Sequence, residues 1–290
     1  MRAFIRTIAA AAAVVTLLLP TASGGQAAGS RHVYWANGTA GTIGRANVDG
    51  TGADESFITG ASHPSGVAVD SSYLYWVDEH TGQAGLGTIG RANLDGTGVN
   101  ENFITGLTEP RGLAVDAGHL YWTNFGPGTI GRANLDGTGV NDSFIVTDGG
   151  HLGLAVDAGH VYWADFSIGT IGRANLDGTG VNPNFIRRAS APLGVAVDAS
   201  HVYWSNNGRQ PSGRGTIGRA RLDGSRTQQS FIGKASNPFG VTVDSSHLYW
   251  ANHCLGLVCG IGRANLDGTG VNQSFISGAS GPEGVAVDAG

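Results

Sequence analysis

Short apolar bursts with a two-residue period run the length of this chain, each bounded by glycine, aspartate or asparagine. Four kinds recur in a fixed order. In "GVAVD" the two valines fall on one face, and in "HLYW" the leucine shares a face with the tryptophan; "TIGRA" and "SFI" complete the set. Alternation of this kind, in short runs rich in Val, Ile, Tyr, Trp and Phe, predicts half-buried β-strands. "YW" stands at 34, 75, 121, 162, 203 and 249, so the repeat is 41 or 46 residues long and uses all six tryptophans. "IGRA" begins at Ile43, Ile89, Ile130, Ile171, Ile217 and Ile261, and "FI" at Phe57, Phe103, Phe144, Phe185, Phe231 and Phe275. The fourth phrase begins at Gly66, Gly112, Gly153, Gly194, Gly240 and Gly284.

The segments between the bursts are turns. "LDG" is an Asp-Gly hairpin signal. In "VDAGH" and "VDSSH" the aspartate caps its own backbone. Four antiparallel strands, here named A (GVAVD), B (HLYW), C (TIGRA) and D (SFI), in a unit of this length predict one blade of a propeller. The expected fold is all-β: a six-bladed β-propeller of four-stranded antiparallel blades, one domain over 29–290. "RHVYW" is a B strand with no A before it, and the final "GVAVDAG" is an A strand with no B after it. Pairing Gly284–Asp288 with Val33–Trp35 completes the sixth blade, so the C-terminal strand joins the N-terminal three and removes open sheet edges.

At this point the residues resemble a known family. "LYWTN", "TIGRANLDGTG" and P-x-G-L-A-V-D are similar to the YWTD repeats of LDL-receptor-type (class B) six-bladed propellers, over residues 31–290. That resemblance implies an extracellular binding module. P-x-G with an aromatic strand and "IGR" also resembles the streptogramin (virginiamycin B) lyases, which are propeller enzymes, and gluconolactonase-type propellers are more distant in architecture. In the lyases a His at x of P-x-G and a Glu closing the aromatic strand form the catalytic pair. Here no x is His, and the closing positions are Asn37, Asp78, Asn124, Asp165, Asn206 and Asn252. A lyase reading therefore needs Glu283, Asp78 or Asp165 and His151 to converge.

Composition adds the compartment. Residues 1–28 read as a secretory signal: Arg2 and Arg6 precede the apolar run Ile8–Leu19, and small residues follow around Gly25-Gln26-Ala27. The run is too short for a membrane span. The net charge is −5, but the repeats carry most of the charge. Setting aside twelve repeated Asp, six repeated Arg and the two signal Arg leaves ten acids and nine bases. No basic stripe is left for nucleic acid. Sixteen Arg against one Lys point to GC-rich coding and a bacterial source. Cys254 and Cys259 flank the loop in "HCLGLVCG"; in an oxidising compartment they read as a disulfide contributing about 2 kcal/mol. The alternative is a metal site with His253, which has three ligands and no fourth.

Strand order divides the loops into two faces. The A–B and C–D turns are nearly invariant. The B–C and D–A loops vary, from "NFGPG" to "NNGRQPSGRG", and carry the unrepeated residues His63, His80, His151, His253, Phe125, Phe166 and Phe239. The six x residues of P-x-G, or its His151 variant, are Ser65, Arg111, Leu152, Leu193, Phe239 and Glu283, expected at the mouth of the central channel. Ligand-binding candidates are Arg111, Phe239, Glu283, His63, Glu109, Phe125 and Phe166, with aromatic platforms suited to an apolar or carbohydrate-like surface. The repeated His at the head of strand B and the N-x-D-G-x-G turns read as structure, so no metal ligands are assigned. The function expected is a secreted, monomeric binding module for an extracellular protein, a glycan or a small apolar ligand, with no cofactor. The alternative is a metal-assisted lyase or lactonase with a divalent ion in the channel and His151, Glu283, Asp78 and Asp165 as catalytic candidates.

Overall fold

The computed structural model describes residues 31–79, 86–207, 214–253 and 259–288. The expected signal segment, His80 and Cys254 lie outside the described residues. Among them are twenty-four strands, β1 to β24, in six four-stranded antiparallel sheets. The first sheet has the order β24 (Pro282–Val287), β1 (His32–Asn37), β2 (Thr42–Asn47), β3 (Asp54–Thr59). The other five repeat the A–B–C–D order over 64–108, 110–146, 151–187, 192–236 and 238–277. The fold is a six-bladed propeller.

Closure follows the expected register: Val33 pairs with Val287, Tyr34 with Ala286 and Trp35 with Val285. The A strands β4 (Pro64–Val69), β8 (Pro110–Val115), β12 (His151–Val156), β16 (Pro192–Val197), β20 (Pro238–Val243) and β24 touch in an unbroken ring around the channel. Their Val, Leu and Ala side chains line a cavity of about 170 Å³ along its axis.

Each apolar cluster lies between two blades rather than within one. Tyr34, Ala36 and Ile43 of the first blade pack on Val67, Leu74 and Trp76 of the second. Tyr249 and Ala251 of the sixth pack on Val33 and Trp35 of the first, which closes the circle. All six Trp are fully buried. The "IGR" phrase explains itself in this packing. An alanine Cβ at Gly131 would lie 2.1 Å from the Trp122 indole, so only glycine leaves room for the ring. The next arginine, Arg132, lies 3.9 Å over the Phe144 ring and donates to the Leu176 carbonyl of the following blade at 3.3 Å. Arg45, Arg173, Arg219 and Arg263 make the same clasp to the next blade.

The P-x-G phrase is a β-bulge. In β8, Pro110 pairs with Asn124 but Leu113 pairs with Trp122, so Arg111 and Gly112 absorb one extra residue. The other five A strands shift between the same positions. A bulge re-aims the side chain it contains. The glycine that follows permits a very close approach between blades: a Cβ at Gly112 would lie 2.1 Å from the Leu152 carbonyl oxygen, and one at Gly284 2.2 Å from that of Ser65.

The repeated turns are built as hairpin structure. Asp136 Oδ1 accepts from Thr138 N at 2.9 Å and from Thr138 Oγ1 at 2.6 Å, with Gly137 at φ +85° supplying the left-handed residue. At the A–B turns, Asp116 caps Gly118 N and His119 N at 2.7 Å and accepts from the Tyr121 hydroxyl at 3.0 Å.

Candidate functional site

The six bulges bring their six residues together. Ser65, Arg111, Leu152, Leu193, Phe239 and Glu283, one from each blade, line a single cavity of about 200 Å³ at the variable end of the channel. Glu79 joins them from the B–C loop of the second blade. The lining is divided around the ring. Glu283, Ser65 with Glu79, and Arg111 occupy three consecutive blades; Leu152, Leu193 and Phe239 occupy the other three.

On the charged side, Arg111 pairs with Glu79 Oε2, and the ring of His63, half exposed above, has Nδ1 3.6 Å from the same oxygen. The Glu79 side chain is only 4% exposed, and its Oε1 has no hydrogen-bond partner among the described residues. Burial lowers the pKa of the Arg111 guanidinium, an effect that the Glu283 carboxylate opposes. Burial likewise raises the Glu283 carboxyl, and Arg111 pulls it back. On the apolar side, Phe239 stacks on His253 with ring centroids 4.5 Å apart, and burial lowers the His253 imidazole.

Hydroxyls on the B strands hold the bulges. Thr123 Oγ1 accepts from Gly112 N at 2.8 Å and donates to the Leu152 carbonyl at 2.7 Å, bridging two blades beneath the cavity. Ser205 accepts from Gly194 N at 2.7 Å and donates to the Phe239 carbonyl.

The other candidates lie elsewhere. Phe125 sits beside the mouth, with the Arg111 guanidinium carbon 5.7 Å from its ring. Glu109 takes φ +50°, accepts from Phe125 N at 3.0 Å through its carbonyl, and lays its carboxylate against Gly126. Phe166 N donates to the Gly150 carbonyl at 3.0 Å on the neighbouring loop. Asp78 accepts from Ser62 N at 3.0 Å and His63 N at 3.2 Å, and Asp165 from Ser167 N at 3.0 Å and Ile168 N at 3.2 Å; both cap loops. Of the four catalytic candidates, His151 and Asp165 meet, Asp78 lies in another blade, and Glu283 alone lines the cavity. Among the described residues no cluster of three His, Cys, Asp or Glu is placed to hold a metal ion.

His151 takes the place of the proline before the bulge, so its side chain stays inside the blade while Leu152 turns to the cavity. It is fully buried, with Nδ1 3.5 Å from Asp165 Oδ2 and Nε2 against the Thr147 hydroxyl. Burial lowers its pKa to about 4. A histidine buried neutral stabilises the fold fully above its ordinary pKa of 6.5, and that contribution is lost as the pH falls to about 4. The shift corresponds to roughly 3 kcal/mol. Asp165, raised by burial, works in the opposite sense, so the informative comparison is with His151→Pro, which keeps it. Urea unfolding at pH 7 and pH 4 should show the native chain losing roughly 3 kcal/mol more than the variant. Parallel losses would remove the argument.

No protein-family model matches the sequence, and a search of curated proteins finds no match. Solved structures match in fold. The propeller in the crystal structure of the nidogen/laminin complex aligns with a TM-score of 0.69 at 21% identity, over 89% of this chain and 98% of that one. Virginiamycin B lyase from Staphylococcus aureus aligns with a TM-score of 0.54 at 19% identity, over 76% of this chain and 73% of that one. A protein of unknown function from Bacteroides caccae aligns with a TM-score of 0.61 at 9% identity, over 89% and 98%. What this chain shares with nidogen and with the lyases is the propeller architecture, and the resemblance to YWTD propellers read from its repeats holds in three dimensions.

Proposed function

We propose that this chain is an exported binding module that grips an extracellular protein by receiving one of its side chains in the channel mouth. The observation that carries this reading is the convergence of six bulge residues from six blades on one cavity. Its volume of about 200 Å³ supports a single side chain as the guest. Small-molecule sites generally occupy about 300–1,000 Å³. The use of the same fold by nidogen in its complex with laminin supports a protein as the owner of that side chain. A lyase or lactonase would need an acid–base pair at the cavity. The one histidine among the catalytic candidates, His151, is instead enclosed in the fourth blade.

A displayed peptide library panned on the immobilised protein tests this. Clones held by the native chain should bind Glu283→Ala and Phe239→Ala about thirty-fold more weakly, the roughly 2 kcal/mol typical of an interface anchor. The melting temperatures of both variants should stay close to native. Clones indifferent to both substitutions would place capture elsewhere. Protein recovered from the medium is the right material, because its intact mass also reports whether residues 1–28 are gone and Cys254 and Cys259 are bridged.

A further inference from the structure

We infer that the mouth is built for a primary ammonium group: a lysine side chain of the partner, its methylenes against Phe239, Leu152 and Leu193 and its charge between Glu79 and Glu283. The inference rests on the capture reading above and names what is captured.

Three features lead to it. First, the cavity is two-sided. Three consecutive blades supply Glu283, Glu79 and Arg111, and the opposite three supply Leu152, Leu193 and Phe239. A guest that fits both halves has an apolar stem and a polar end, which describes a long amphipathic side chain. Second, the charged half is short of a donor. Glu79 spends Oε2 on Arg111, with His63 Nδ1 3.6 Å away, while Oε1, buried on the same carboxylate, accepts nothing among the described residues. A buried acceptor without a donor is unfavourable until one arrives. Third, two carboxylates, Glu79 and Glu283, face one guanidinium, so negative groups outnumber the guanidinium in the cavity lining. A neutral amide would satisfy Oε1 without balancing that excess, whereas an ammonium does both.

The choice of lysine over arginine follows from the same oxygen. A guanidinium binds a carboxylate best through both oxygens at once, and Arg111 already holds one of them. A compact ammonium needs only the other.

The test uses two capped amino acids that share a four-carbon side chain, Nα-acetyl-lysine amide and Nα-acetyl-norleucine amide, titrated into the native protein by calorimetry at millimolar concentration. Norleucine keeps the methylenes and lacks the charge. The lysine probe should bind at least tenfold more tightly. In Glu79→Gln that preference should shrink to near unity, while Phe239→Ala should weaken both probes together. Equal binding of the two probes by the native chain overturns the inference, and this comparison needs no variant to fold. Such equality would leave capture standing if the panned clones still depend on Glu283 and Phe239. Clones indifferent to those residues would overturn the capture reading whatever the probes do.

Discussion

Deletion of residues 282–290 is expected to abolish the soluble monomer. The removed strand, β24, supplies the innermost strand of the first blade and one sixth of the ring around the channel. Its loss strips Val285 from the cluster that joins the sixth blade to the first and exposes the backbone of β1. An unpaired edge beside an uncovered apolar face is a template for aggregation. The anchoring contacts go with it: His32 N donates to Asp288 Oδ1 and Asp288 N to the His32 carbonyl, both at 3.1 Å. Size-exclusion chromatography and thermal melts are the measurements. A monodisperse monomer with an unchanged melting temperature would show that the seam contributes nothing. Adding a synthetic peptide of residues 279–290 should restore part of the monomer, because a peptide can add as a strand to an open edge.

The second large effect is expected from Gly112→Ala, one methyl group added where two blades nearly touch. The new Cβ would lie 2.1 Å from the Leu152 carbonyl oxygen and 3.0 Å from Leu154 N, both backbone atoms of the next A strand. No rotamer change relieves a backbone clash, so the blades must separate or the bulge must flatten. Overpacking of a close-packed site costs typically 1–3 kcal/mol, and this case belongs near the upper limit of about 3. A domain of this size should then lose about 6 °C in melting temperature. Gly233→Ala, with open space around its Cβ position, serves as the control and should melt as the native chain does. Equal melting of both variants would mean that the ring of glycines does not set the blade spacing. The same substitution should weaken capture, because Arg111 and Leu152 border the altered contact.

How far the molecule could be read from its sequence depends on what repeats. The strands were legible because "YW", "IGR" and "FI" recur six times with strand periodicity, and the closure because β1 and β24 are each half of a pair. The six x residues were legible as a group because P-x-G marks their place. The reason they converge was hidden: a proline and glycine in a strand signal a bulge, but only the shifted register shows which side chain it turns inward. His151 shows the consequence. One position from Leu152 in sequence, it lies on the other side of the pleat, paired with Asp165 and away from the cavity. Glu79 was missed because it occurs once, in a loop whose length matches only one other blade, and no pattern points to it. The buried acceptors of the tryptophans were missed for a related reason. Glu55, Glu101 and Asp142 sit in outer strands that read as solvent-facing, yet each bonds an indole nitrogen, at 3.0, 3.2 and 2.7 Å. Where Pro183 occupies the equivalent place, Trp163 Nε1 has no partner among the described residues.

The seam between β1 and β24 also has a mechanical character. Val33, near the start of one strand, lies opposite Val287, near the end of the other, so residues 31 and 288 meet at the same edge of the sheet. A pull between those two points loads the hydrogen bonds one after another, as in opening a zipper, instead of all together in shear. In every other blade the inner two strands are joined by a covalent turn and cannot be peeled in this way. Tension between the two ends would therefore open the ring at one joint while five blades stay folded. Tethering at a single end leaves that joint unloaded.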